Sequence, residues 1–193
     1  MKKYIIFILL GLIALLSAAT DLVVTFTNGH TDSVPVGEIE EITFAQLESV
    51  TVEGIEFQWR TDDEFLYINL YAPTTGWISV GFDPSNQMAD ANIIIGYVDE
   101  FGEVEIRDDY GTSATSHASD LSLGGTDDVD SDTIYGSEVD GTTMLHFKIP
   151  LNSGDMYDKE LIPGNTYTII LAYGSADNFT GFHTVATATT IQL

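Results

Sequence analysis

His30, His117, His146 and His183 are the imidazoles of this chain, and no two of them stand at metal-ligand spacing. There is no H-E-x-x-H, no G-x-S-x-G, no phosphate-cradling glycine loop and no dinucleotide fingerprint. Serine, histidine and aspartate all occur, but nothing in their spacing marks a triad. No catalytic residue is therefore assigned, and no enzymatic activity is expected. The absence of cysteine excludes disulfides, thiolate zinc sites, iron–sulfur clusters, covalent c-type haem and cysteine nucleophiles. A non-covalent cofactor, a carbohydrate, or a metal held by oxygen or imidazole remains open.

Carboxylates are the other abundant chemistry. Asp127-Asp128-Val129-Asp130-Ser131-Asp132 places oxygens at alternate positions, a pattern that can converge on a hard cation. An EF-hand loop beginning at Asp128 needs Gly at position 133 and Glu at position 139, where this chain has Thr133 and Val139. The run therefore reads as a solvated acidic loop. Asp62-Asp63-Glu64 and Asp108-Asp109 read as turn residues rather than ligands.

Thirty Asp and Glu against six Lys and Arg give a formal net charge of −24. Lys2 and Lys3 belong to the leader, so the remainder carries only Arg60, Arg107, Lys148 and Lys159 as cations. Nucleic acid and anionic membrane surfaces repel so acidic a chain, because both need Lys or Arg to neutralise their phosphates. The 44% of hydrophobic residues is nevertheless enough to bury a core, so disorder is not expected.

Met1-Lys2-Lys3 forms a short basic start, Tyr4 to Leu16 is an almost unbroken apolar run, and Ser17-Ala18-Ala19 supplies small residues before Thr20. This reads as a signal peptide over residues 1–19 of bacterial type. The apolar run is shorter than the roughly 20 residues a spanning helix prefers, so a retained membrane anchor is the lesser reading. The mature protein is expected to be extracytoplasmic (periplasm, cell surface or medium) and not integral to the membrane. The sequon Asn178-Phe179-Thr180 has little weight in a bacterial setting.

The elements that must position any site are strands. No window after Thr20 sustains helical periodicity, whereas short β-branched and aromatic runs recur between Gly, Asp, Asn and Ser. Strands are predicted over 22–27, 34–36, 41–44, 49–52, 55–60, 65–71, 76–82, 92–98, 104–108, 143–149, 166–173 and 183–193. In 65–71, Leu66, Ile68 and Leu70 share one face, while 92–98 does not alternate and reads as covered on both sides. The fold class is all-β, an antiparallel immunoglobulin-like β-sandwich. Residues 20–47 read as a separate N-terminal β segment or extra edge strands, with Asn28-Gly29 as a hairpin turn. Residues 48–193 form the sandwich. The interval 109–141, rich in Gly, Ser, Thr and Asp, reads as surface loop with one short strand at 133–135.

An ordered series of motifs runs through the second segment. Gly76-Trp77-Ile78-Ser79-Val80-Gly81-Phe82 is followed by Met88-Ala89-Asp90-Ala91-Asn92-Ile93-Ile94-Ile95-Gly96, then Arg107-Asp108-Asp109-Tyr110 and Asp120. Leu145-His146-Phe147-Lys148-Ile149-Pro150-Leu151, Gly154-Asp155, Ile170-Leu171-Ala172-Tyr173-Gly174 and Phe182-His183 complete it. In order and approximate spacing this resembles the DOMON family over about residues 48–193. The resemblance implies an extracytoplasmic sandwich that binds b-type haem or sugar-like ligands. In haem-binding members, such as the cytochrome domain of cellobiose dehydrogenase, a Met and a His ligate the iron, and Met88 and His183 are the matching positions here. Six-coordination by thioether and imidazole implies electron transfer rather than catalysis. The small side chains of Thr184-Val185-Ala186-Thr187-Ala188-Thr189 would leave room for a flat macrocycle, and are equally compatible with tight sheet packing.

Two functions follow from that resemblance. One is a haem b electron-transfer domain, whose acidity calls for an extracytoplasmic redox partner with a basic surface. The other is a carbohydrate-binding or surface-interaction module without haem, with Trp59, Trp77, Tyr71 and Tyr97 as candidate stacking rings, although a Trp within a strand is more often core.

Overall fold

The structure, a computed structural model, describes Tyr4–Ile5, Asp21–Thr25, Thr31–Pro35, Ile42–Thr43 and the whole chain from Gln46 to Leu193. It divides into two compact units, Met1–Gln46 and Leu47–Leu193. In the first, β1 (Tyr4–Ile5) pairs in parallel with β4 (Ile42–Thr43), and β2 (Asp21–Thr25) pairs antiparallel with β3 (Thr31–Pro35). The partner of β2 is thus Thr31–Pro35 and not the segment around Ile42. The Asn28-Gly29 turn lies outside the described residues, as does the leader over residues 1–19 apart from Tyr4–Ile5.

The second unit is an antiparallel sandwich of two sheets. The five-stranded sheet runs in the order β12-β13-β7-β6-β5, from β5 (Glu48–Val52), β6 (Ile55–Thr61), β7 (Phe65–Ala72), β12 (Tyr135–Val139) and β13 (Thr142–Pro150). The six-stranded sheet runs β11-β10-β9-β8-β14-β15. Its strands are β8 (Ile78–Phe82), β9 (Asn92–Val98), β10 (Val104–Ser113), β11 (Ser116–Ser119), β14 (Thr166–Tyr173) and β15 (Val185–Gln192).

Period-two alternation explains how the sheets meet. Leu66, Ile68 and Leu70 of β7, with Leu145, Phe147 and Ile149 of β13, face Ile78, Val80 and Phe82 of β8 and Ile169 and Leu171 of β14 in one core. Trp59 joins this core and donates its indole N–H to the Gln192 carbonyl at 3.1 Å, linking the two sheets. Strand β9 is buried on both faces, as its unbroken apolar run predicts: Ile94 and Val98 enter the main core, and Ile93 and Ile95 enter a second cluster on the outer side.

The interval 109–141 departs from the loop expectation. Strand β10 continues to Ser113, β11 follows, and a four-residue helix α1 (Asp120–Leu123) and a 3-10 turn (Ser131–Thr133) precede β12. Asp108 and Asp109 accordingly lie inside a strand, buried, and are not turn residues. These edge strands are built from Ser, His, Thr and Gly, so they carry no hydrophobic alternation to reveal them.

Candidate functional site

Residues of alternate parity point to the outer side of the six-stranded sheet, and the register arranges them in rows. One row crosses Ile93, Gly81, Ile170 and Ala188, and the next crosses Ile95, Ser79, Ala172 and Ala186. Large side chains on β9 thus give way to Gly and Ser on β8 and to Ala on β15, where Ala186 and Ala188 are exposed. The result is an apolar floor with a low centre and a low edge. Gly81 is required there, since a Cβ would stand 2.7 Å from Ile170 Cγ1 and 3.1 Å from Ile93 Cγ1.

Two loops meet this floor from opposite ends. Residues 83–91 connect β8 to β9 at the Phe82 and Asn92 end, and carry Met88. Met88 is half-buried and packs on the outer cluster of Trp77, Ala91, Ile93 and Ile95. The loop is pinned to β10 by Asp90 N–H donating to the Gly111 carbonyl (2.8 Å) and Gly111 N–H to the Ala91 carbonyl (2.9 Å). Position 111 admits only glycine, because a Cβ would fall 1.6 Å from the Met88 carbonyl oxygen. Gln87 and Asp90, at φ 54° and 63°, make the tight bends on either side of Met88.

Residues 174–184 connect β14 to β15 at the Ile78 and Tyr173 end, and carry His183. Trp77 N–H donates to the Ala176 carbonyl (3.2 Å), Gly174 N–H to the Trp77 carbonyl (3.0 Å), and Thr184 N–H to the Tyr173 carbonyl (2.7 Å), fixing both ends of the loop. Phe179 folds back onto Tyr97, ring centroids 5.1 Å apart, and under the Arg107 guanidinium at 4.3 Å. His183 lies in this loop rather than in the strand expected over 183–193; it is exposed and has no hydrogen-bond or ion-pair partner among the described residues. Phe182 beside it is 97% exposed. The Trp77 indole N–H is buried without an acceptor.

The structure therefore sets both sequence-selected residues on loops that border one apolar face. The residues that shape that face, Gly81, Ser79, Ile170 and Ala172, were not singled out by sequence, because only strand register shows that they adjoin. Trp59 and Trp77 are 7% and 5% exposed and act as core, whereas Tyr71 and Tyr97 are half-buried.

On the opposite side of β10, Asp108 meets Asp128 and Asp158, with one carboxylate oxygen from each within 4.8 Å of the others. Burial above all, then the charges of Asp158 and Asp120, push the Asp108 carboxyl up to about 9. Burial and the Asp158 and Asp155 charges push Asp120 up to about 7. Asp158 is raised as well, chiefly by burial. His146, in the five-stranded sheet, is depressed by burial and by the charge of Arg60, and its Nδ1 lies 2.6 Å from Asn69 Oδ1.

The DOMON domain model matches residues 52–174, and the chain belongs to the DOMON family. Among solved structures it is similar to the cytochrome domain of Myriococcum thermophilum cellobiose dehydrogenase, with 11% identity, a TM-score of 0.51, and coverage of 92% of this chain and 90% of that one. A family 9 carbohydrate-binding module from Caldicellulosiruptor kristjanssonii in complex with glucose aligns with 14% identity and a TM-score of 0.36, over 75% of this chain and 72% of that one. No curated protein sequence matches the chain. Among the described residues, no helix is long and apolar enough to cross a membrane.

Proposed function

We propose that the chain is an exported electron-transfer module that holds haem b non-covalently on the outer face of the six-stranded sheet, with Met88 and His183 as axial ligands. The observation that carries this reading is that Met88 packs on one apolar face and His183 lies in the loop whose Phe179 packs on the same face from the opposite end. A flat apolar group fits the donor set and the surface: thioether and imidazole are the ligands, Ala186 and Ala188 leave space at the exposed edge, and Ile93, Ile95 and Ile170 exclude water. Haem bound there supplies a one-electron couple. With two side chains filling the axial positions, no coordination site is left for a substrate. Met88 favours a higher potential than a second imidazole would. The exposed Phe182 next to His183 is positioned to add apolar cover. The acidic surface selects a basic redox partner and steers its approach, an effect that salt screens.

The test is to add haem to the purified protein and record the spectrum of the reduced form. A sharp six-coordinate spectrum is expected, with Met88→Ala and His183→Ala each giving a five-coordinate spectrum or no binding. Wild-type spectra from both variants would refute the ligand assignment. Glycan binding by haem-free protein that takes up no haem would replace the reading with the carbohydrate-binding alternative.

A further inference from the structure

The carboxylates on the inner side of β10 have no part in the proposed haem face. Asp108, Asp128 and Asp158 come from a strand, from the loop after α1 and from the β13–β14 connection, yet their oxygens converge within 4.8 Å. Acidic clusters on surfaces are ordinarily just solvated. This one is different because buried oxygens in and beside it lack donors: Asp128 and Asp158 are half-buried and accept from Thr126 and from Asn92 and Ser153, but Asp108 is buried with one oxygen unpartnered. Asp108 is 1% exposed with Oδ1 unpartnered, and Asp120, fully buried, has a partner for neither oxygen. Asp120 is near enough for its charge to act on Asp108 and for that of Asp158 to act on it. Asn92, 4% exposed, donates its amide N–H to Asp158 Oδ1 at 2.7 Å and leaves its own Oδ1 without a partner. The ion pairs Arg107–Asp109, His117–Asp109 and Lys148–Asp130 do not involve Asp108, Asp128 or Asp158. Buried oxygens in this number without a donor call for a positive ligand.

We propose that Asp108, Asp128 and Asp158 bind one Ca²⁺ ion, with Asp120 and the Asn92 carbonyl oxygen contributing to an all-oxygen shell. An oxygen-only donor set suits a hard cation. Oxygens on opposite sides of Ca²⁺ stand about 4.6–5.2 Å apart, and those around Mg²⁺ about 4.0–4.2 Å. The three oxygens, within 4.8 Å of one another, are close enough to share one such ion. Asp155 holds the loop instead of joining the ion: its Oδ2 accepts from Thr126 N–H (2.6 Å), and the single Thr126 hydroxyl proton is shared between Asp128 Oδ2 (2.7 Å) and Asp155 Oδ2 (3.0 Å). The ion thus ties β10 to two loops that no disulfide secures.

The experiment strips the full-length protein with EDTA and titrates it with Ca²⁺ in about 0.15 M salt, which suppresses diffuse counter-ion uptake. Calorimetry should show one saturable ion per chain, and the thermal midpoint should rise. Tb³⁺ should give tyrosine-sensitised emission, because the Tyr110 and Tyr157 rings, 5.3 Å apart, belong to the segments that supply Asp108 and Asp158. Asp108→Asn and Asp158→Asn keep the side-chain shape and remove a charge, so they should fold and bind Ca²⁺ at least about tenfold more weakly. Asp132→Asn, on the exposed 3-10 turn, should bind as wild type. Weak, unsaturable uptake by the wild type, wild-type affinity in Asp108→Asn, an equal loss in Asp132→Asn, or Mg²⁺ matching Ca²⁺ would each overturn the proposal.

Discussion

Asp108 and Asp109 are neighbours on one strand and both are buried, at 1% and 0% exposure, yet the fold gives their charges opposite surroundings. Asp109 points outward, where Arg107 donates to it through Nε (2.5 Å) and Nη2 (2.6 Å) and His117 Nδ1 contacts its other side. Asp108 points inward, where the donor it meets is the Asp128 backbone N–H at 3.3 Å and its other neighbours are carboxylates. Burial alone thus does not set the state of a carboxylate. The outward group is compensated from within the chain. The inward group needs something from solution, either a proton or the proposed cation.

The largest effect that can break this contrast is loss of the compensated charge. Asp109→Ala strands a guanidinium and an imidazole against the sheet. Arg107 is 29% exposed and can turn partly to water, so the cost should lie at the low end of that for breaking a buried pair, about 3 kcal/mol. Urea unfolding, compared with Asp109→Asn, measures it. A loss below about 0.5 kcal/mol would mean that the Arg107–Asp109 geometry contributes nothing to stability.

Asp108→Asn should act in the opposite direction. In calcium-free buffer it replaces a buried carboxyl that the native state must keep protonated, and the variant should match or exceed the wild type by up to about 1 kcal/mol. The pH dependence sharpens the point. Folded-state values raised to about 9 for Asp108 and about 7 for Asp120 mean that the native state holds protons the unfolded chain has released. Their contribution is complete below the ordinary value of 3.8 and is lost as pH rises through those raised values. Calcium-free wild type should therefore lose stability from about pH 4 to about pH 9, by at most about 1.4 kcal/mol per pH unit for each proton. The depressed His146 acts in the opposite sense, its contribution present above the ordinary value of 6.5 and lost as pH falls through its lowered value. A flatter profile is expected for Asp108→Asn, and an identical slope in both proteins would contradict this account.

The same contrast marks what could be read from sequence. Strands 92–98 and 166–173 were legible to the residue because their patterns are apolar on one or both faces. Strand β11 was not, because Ser-His-Ala-Ser at a sheet edge carries no such pattern. Met88 and His183 stood out through the order of motifs around them, while the floor between their loops depends on pairing across four strands. Testing Asp127–Asp132 against a contiguous calcium loop failed for the same reason. Asp128 does join other carboxylates, but those lie on β10 and in the β13–β14 connection, which no local spacing can show.

The smallest expected effect falls on His117. Its Nδ1 contacts Asp109 Oδ2, but Arg107 already binds both carboxylate oxygens, and the His117 side chain is 20% exposed. His117→Gln keeps a donor near the same position, whereas His117→Ala removes it and leaves Asp109 to Arg107 alone. About 1 kcal/mol should be lost in the Ala variant and less in the Gln variant. A double-mutant cycle with Asp109→Asn isolates the coupling, which should account for most of that loss. If His117→Ala costs as much as Asp109→Ala, the imidazole and not the guanidinium is what makes the outward carboxylate tolerable. The division of labour between the two faces of β10 would then rest on the imidazole.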